Sequence, residues 1–378
     1  VRAVAVLLVI CEHTQLIHNG FMGVDLFFVL SGFLITTLLC EEWERVGRIS
    51  LRGFYARRAR RLLPALGGLV LLAVGVDLLV YPLTGWGLGP KLISTFAFIN
   101  NWVAGLGNSQ DLGALNPTWS LAQEEQFYLL WPLALILLLH LRFTPGQILG
   151  LLVAVIAALL VFEPAMAAHL TGYSDYYSPI DRAAELLMGC GTSLVWRHRM
   201  VALPTATPEA CRGPCRRAGV ELAALAFAFA FAWLLIRTDP IDPRWVFLGA
   251  AGITVPLLVL LIQVPGTLLG RALACAPLRA VGRVSYGLYL IHLLIRNLMM
   301  HLFPGMTAEL EVAALTLGVS LALATLSYRY IEAPIRSGRL PAPLARLSGV
   351  FRGSGQTADE RRTGHVSQPT RSPIRSSA

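Results

Sequence analysis

The chain has 378 residues, of which 55% are hydrophobic and 14% charged, and a formal net charge of +9. A typical soluble domain carries about 25% charged residues, and a soluble core cannot absorb this much apolar side chain, so two or three soluble domains give way to one polytopic membrane protein. The basic excess does not indicate nucleic acid: only Lys91 among the 31 basic residues is a lysine, and the arginines gather between and after apolar runs, as topology signals do.

In chain order, ten apolar segments approach the roughly 20 residues needed to cross a bilayer: about 2–17, 24–40, 64–81, 121–139, 147–166, 180–196, 218–236, 244–263, 284–301 and 311–329. An eleventh stretch, 88–104, carries Gly89-Pro90 and is broken by Asn100 and Asn101. It reads as a shorter helix, interfacial or re-entrant. The first span begins at once, with no small-residue cleavage pattern, so a removed signal peptide is not expected. The chain starts at Val1 rather than methionine, which suggests that residues ahead of the first span are missing.

Placing residue 1 in the cytoplasm puts 41–63, 140–146, 197–217, 264–283 and everything after 329 on the inside. Those segments, with Arg2 and Arg329, hold 26 of the 31 basic residues; Lys91, Arg182, Arg237, Arg244 and Arg296 are the others. This asymmetry predicts an even number of spans with both termini cytoplasmic. The fold class expected is therefore all-α and polytopic, with about ten transmembrane helices and one re-entrant or interfacial helix. Residues 1–336 form the membrane domain, and 337–378 form a polar tail expected to be disordered.

Six cysteines do not suggest a disulfide framework, and Cys211 with Cys215 cannot complete a four-ligand zinc site. His18, His169, His198 and His301 have no ligand spacing, so no metal site is expected. Without a Gly-rich phosphate loop, an ATP-driven pump is unsupported.

Ionisable groups inside a bilayer are expensive and mark function. Arg2 and His13 share one face of the first span, about 16 Å apart along it, and His13 lies near the outer end. Asp25, Asp77, Glu124, Glu125, Asp181, Arg182 and Glu185 fall at similar outer depth. Together they are expected to line one polar cavity opening outward, with His13 the member suited to exchange a proton. At the opposite end, FYARRARRLLP (54–64) clusters Arg57, Arg58, Arg60 and Arg61. Such multi-donor cations suit phosphate, although anionic lipid headgroups or topology signalling explain them as well.

A phosphate-rich head held inside and a histidine near the outer end suggest a long activated donor threaded into the membrane. Acyl-coenzyme A, with acetyl as the first choice, has that shape. His13 would take the proton of an attacking hydroxyl, with Glu124 or Glu125 orienting the imidazole; Arg2 would meet the donor nearer the inner face. Ser31 and Ser120 leave a covalent acyl-serine route open. Tyr286, Tyr289 and His292 recur every three residues and either line the tunnel or hydrogen-bond between helices. Two other classes compete: a proton-coupled transporter or flippase of a glycan or acylated intermediate, and a non-catalytic sensor.

The ordered motifs resemble those of the integral-membrane acyltransferase-3 family, bacterial O-acyltransferases of sugars, polysaccharides and macrolides. The likeness rests on Arg2 and His13 in RAVAVLLVICEH, GVDLFFVLSGFLIT (23–36), FYARRARRLLP (54–64), the NNW ending at Trp102, WSLAQEEQFYLLWP (119–132), SYGLYLIH (285–292) and YRYIEAP (328–334). It covers residues 1–336. The resemblance implies a bacterial inner-membrane enzyme with acyl-coenzyme A as co-substrate and a carbohydrate, lipid-linked glycan or glycosylated small molecule as acceptor. It also implies His13 as the essential histidine, with Arg2 and an arginine pair within 57–61 as essential partners. The duplicated RR allows Arg57 with Arg60 or Arg58 with Arg61; the second leads directly into LLP. Typical members carry Leu-Asp-Gly-Leu before the first arginine, which this chain lacks, and some append an SGNH hydrolase-like domain. The chain is thus expected to resemble the stand-alone members.

Overall fold

The computed structural model describes residues 1–80, 88–106, 109–169, 175–198, 214–237, 243–306 and 308–337. Cys211, the side chains of Asp181, His169, Cys215 and Arg244, and the segment 338–378 lie outside what is described. The described chain is all helical: α1 Arg2–His13, α2 Met22–Val46, α3 Leu51–Leu79, α4 Leu88–Phe96, α5 Asn100–Leu106, α6 Thr118–His140, α7 Pro145–His169 and α8 Pro179–Arg197. It continues through α9 Pro214–Ile236, α10 Pro243–Gln263, α11 Leu268–Leu273, α12 Ala276–Leu302, α13 Glu309–Ser327, a π turn at Tyr328–Glu332 and α14 Ala333–Arg336.

Seven of the described helical stretches, not ten, are long and apolar enough to cross a membrane: α2, α3, α7, α9, α10, α12 and the run Glu309–Arg336. The expectation of ten fails at three helices. α1 has only 12 residues, while α6 and α8 carry Glu124, Glu125 and Arg182, Glu185 among their apolar residues. The protein is a multi-pass membrane protein, with Leu222, Phe229, Val153 and Phe162 among the large apolar side chains on its outward faces, where a bilayer accepts them. The 88–104 stretch is two short helices, α4 and α5.

The tightest crossing is α2 on α8. A Cβ added at Gly32 would collide with the Leu186 carbonyl, and one at Gly189 with the Val29 carbonyl. The backbones therefore touch through reciprocal glycines, the small-residue packing that drives helix association in lipid. Thr37 and Ser193 hydroxyls, 2.8 Å apart, tie the same pair. Because the obstacle is backbone on both sides, Gly32→Val is expected to separate α2 from α8. Size-exclusion chromatography in detergent should then show loss of the monodisperse folded species, whereas Gly67→Ala, in open space, should leave it intact. Around this crossing, α1, α2, α3 and α12 share a continuous apolar core including Val6, Val9, Phe28, Leu66, Leu69 and Leu288. That core fixes four of the helices which carry the candidate site.

Candidate active site

At one end, α2 stops at Gly47, whose left-handed φ of 70° favours glycine. Three residues later Ser50 caps α3, its Oγ accepting from the Gly53 N–H at 3.2 Å. This short turn sets the acidic end of α2 against the arginine-rich start of α3. Between them lies a vestibule of about 760 Å³, lined by Glu41, Glu42, Arg45, Arg57, Arg58, Arg60 and Arg61, with Arg336 from α14. The four α3 arginines divide by helix face: Arg58 and Arg61 are half-buried, Arg57 and Arg60 exposed. Arg58 donates to Glu125 Oε1 at 2.7 Å, and its guanidinium carbon lies 3.3 Å from the centroid of the Tyr128 ring. Arg57 reaches only Glu42, at 2.9 Å. Of the two registers open in the sequence, Arg58 with Arg61 is the inward-facing one.

Arg61 also lines the next space, a constriction of about 60 Å³ bounded by Arg2, Phe27, Ser31, Ser120, Glu124, Tyr286 and Tyr289. Several of its polar groups are already paired. Ser31 donates to Glu124 Oε1 at 2.5 Å, the Ser120 and Tyr289 hydroxyls are 2.7 Å apart, and Tyr286 donates to the Leu62 carbonyl at 3.4 Å. Both readings of the α12 tyrosines therefore hold together: they bond between helices and line the space.

Beyond Tyr289 lies His292, completely buried, and against it His13, the two rings edge-to-face with centroids 4.9 Å apart. His13 closes α1 and lines an outer cavity of about 280 Å³ with Glu12, Gln15, Phe21, Tyr176 and Arg296. Its Nδ1 sits 2.8 Å from the Val9 carbonyl, an acceptor only, so the proton belongs on Nδ1 and the Nε2 lone pair is left to act as a base. His292 repeats the arrangement, with Nδ1 at 2.5 Å from the Tyr289 carbonyl and Nε2 without a partner. Sequence reasoning left His292 between tunnel lining and helix-to-helix bonding and missed its contact with His13. The three-residue recurrence in SYGLYLIH was the available signal.

The carboxylates are distributed differently from expectation. Glu124 and Glu125 do not orient the His13 imidazole; Ser31 and Arg58 hold them towards the arginine end. Asp25 does not open into an outer cavity either. It lies fully buried 2.6 Å from Arg182, which also donates to Glu185 at 2.7 Å and stacks over Phe247, 3.7 Å from the ring centroid. Residue spacing supplies height along a helix but not which neighbour each face meets, so groups at one depth separate into the constriction, a sealed ion cluster and the outer cavity.

The chain matches the family described as "Acyltransferase domain" over residues 1–329. It belongs to that acyltransferase family. Among curated relatives, it is 32% identical over 344 residues to the peptidoglycan O-acetyltransferase OatA of Listeria monocytogenes, covering 89% of this chain and 54% of the relative. It is 31% identical over 350 residues to the O-acetyltransferase OatA of Staphylococcus aureus, covering 89% and 56%. The putative peptidoglycan O-acetyltransferase YrhL of Bacillus subtilis is 33% identical over 355 residues, at 89% and 54%. The acyltransferase chain thus spans about half the length of these relatives. No solved structure matches it. A helical, multi-pass member of this family is consistent with a place in the bacterial inner membrane.

Proposed function

We propose that this chain moves an acyl group, in the first place acetyl, from acyl-coenzyme A to a hydroxyl of a glycan, with His13 as general base. The observation that carries the reading is the succession of lined spaces. Arg61 belongs to both the arginine vestibule and the constriction; Tyr289 and His292 then lead from the constriction to His13. In this reading the donor's phosphates rest on Arg58, Arg61 and their neighbours. The thin arm passes Arg2 and Tyr286, and the thioester reaches His13. The acceptor hydroxyl enters from the outer cavity. His13 Nε2 removes its proton as the oxygen attacks the thioester carbonyl carbon; the C–S bond breaks, and the imidazolium returns the proton to the departing thiolate. Asp25, Glu124 and Glu125 serve by holding helices and arginines rather than by touching the reacting atoms.

The same reading puts the α2–α3 turn and Arg336 on the cytoplasmic face, and it makes α1, α6 and α8 polar inner staves packed among the seven long apolar helices. Residues 1–336 form the membrane unit, followed by a cytoplasmic tail. The names of the relatives support a peptidoglycan-type acceptor.

Detergent-purified protein, radiolabelled acetyl-coenzyme A and a glycan extract test the proposal. Acceptor-dependent thiol release with label on the glycan supports it; no donor binding and no thiol release across a series of acyl chains would move the reading to transport. Within the site, Arg61→Ala is expected to raise the KM for acetyl-coenzyme A about tenfold or more, since it removes a charge-assisted phosphate contact. Arg57→Ala, which breaks only an exposed pair, should change it less than about threefold. Steady-state kinetics on the two variants separates the inner from the outer arginines.

A further inference from the structure

Among the basic residues outside the cytoplasmic segments, Arg296 is the informative one. Arg182 is locked between Asp25 and Glu185, Lys91 is buried with a partner of its own, and Arg237 lies over Trp233. Arg296 stands on α12 one turn beyond His292, on the same face, and lines the outer cavity with His13. None of the ion pairs among the described residues includes it. Its hydrogen bond is to the neutral Asn297 Oδ1 at 3.2 Å, and its buried Nε–H has no partner. Glu12 lines the same cavity, and one of its oxygens accepts the Gly20 N–H at 2.7 Å. A guanidinium kept in a membrane domain with a donor unused is costly, and negative charge forming beside it would offset that cost.

Acyl transfer at His13 creates such a charge. When a hydroxyl oxygen attacks a thioester carbonyl carbon, the carbonyl electron pair moves onto its oxygen while the hydroxyl proton goes to the base. The intermediate is an oxyanion beside an imidazolium. Because α1 ends at His13, the negative end of its dipole favours the imidazolium and opposes the oxyanion. Among the described residues lining this cavity, Arg296 alone is permanently cationic. A fixed donor held where charge develops stabilises the transition state more than the ground state.

We infer that Arg296 is a catalytic residue that pairs with the oxyanion of the tetrahedral intermediate. Resting on the acyl-transfer reading above, it adds the group that His13 does not supply. The new C–O bond forms as Nε2 takes the proton, and Arg296 N–H groups donate to the carbonyl oxygen as it becomes negative. Collapse of the intermediate restores the carbonyl and breaks the C–S bond. The imidazolium proton then goes to the thiolate, leaving ester and thiol.

The test follows thiol release from acetyl-coenzyme A by detergent-purified full chain, with a glycan extract and without it, so that water is the only acceptor in the second case. Arg296→Gln is expected to lower kcat about 10²- to 10³-fold. The KM for acetyl-coenzyme A and the extract concentration giving half-maximal rate should stay within about threefold of wild type. Release without glycan should fall in parallel, since hydrolysis passes through the same oxyanion. Arg296→Lys, which keeps a cation, should lose less, and added guanidinium chloride should raise the rate of Arg296→Ala about tenfold or more. Should Arg296→Gln not elute as wild type does, Arg296→Lys and the guanidinium response of Arg296→Ala carry the test. Retention of more than about a tenth of wild-type kcat by folded Arg296→Gln overturns the inference. So does a loss confined to acceptor saturation, with hydrolysis untouched, or an Arg296→Ala protein that guanidinium does not revive. In each of those cases wild-type turnover leaves the acyl-transfer reading standing. Wild-type protein that releases no thiol from any of a series of acyl donors overturns that reading, and this assignment with it.

Discussion

His13→Ala is expected to lower the turnover of acetyl-coenzyme A by about 10²- to 10⁴-fold, the range of a positioned general base, while donor binding stays within about twofold of wild type. The separation follows from distance. His13 closes α1 at the outer cavity, whereas the arginines that would hold the donor's phosphates line a different space at the start of α3. The imidazole also fills little of the core; its ring contact is His292 and its bond goes to the Val9 carbonyl. The variant should therefore insert and elute like wild type. Thiol release with a glycan acceptor, together with equilibrium binding of labelled donor, measures both quantities. A variant that keeps more than a tenth of wild-type turnover would remove His13 from the chemistry and redirect attention to Ser31 or Ser120.

Arg182→Leu is expected to act on the fold. The Arg182 side chain is wholly inaccessible and neutralises two carboxylates, Asp25 on α2 and Glu185 on α8, so its loss leaves acidic groups buried without a counter-charge. Breaking one buried pair in this way costs about 3–5 kcal/mol, and Phe247, Tyr176 and Trp119 lose the cation they surround. A fall of roughly 10 °C or more in the melting temperature in detergent should follow, or failure to accumulate in the membrane. Asp25→Asn leaves the Arg182–Glu185 pair in place and should be milder. In whatever fraction of Asp25→Asn folds, turnover per folded molecule should stay within a fewfold of wild type, because Asp25 lines neither the constriction nor the cavity beside His13. A stable Asp25→Asn protein with turnover lost a hundredfold would return Asp25 to the chemistry.

The two carboxylate assignments show where sequence reading runs out. Asp25 and Glu124 looked alike: each is a charge in an apolar run, at comparable depth. In the folded chain one is sealed against Arg182 and the other hydrogen-bonds Ser31 in the constriction. The sequence reading counted α6 and α8 as spans, but Gln123, Glu124, Arg182 and Glu185, buried or half-buried in the fold, leave them less apolar than the seven long helices.

Composition and order along the chain were sufficient for much else. Apolar runs near the length of a bilayer-spanning helix, with most arginines between and after them, point to a helical membrane protein, because lipid leaves backbone groups no partner outside a helix or a closed barrel and runs of that length suit the helix. The spacing from Arg2 to His13, and the RR run in α3, are local patterns, visible without knowing any neighbour. Only the tertiary structure decided that Arg58 and Arg61 turn inward while Arg57 and Arg60 do not, that His292 meets His13, and that Arg296 lines the same cavity as His13. Those facts depend on the rotation of each helix about its axis, and close contacts between helices set that rotation. Reciprocal glycines Gly32 and Gly189 hold α2 on α8, and the apolar core seats α1 against α12.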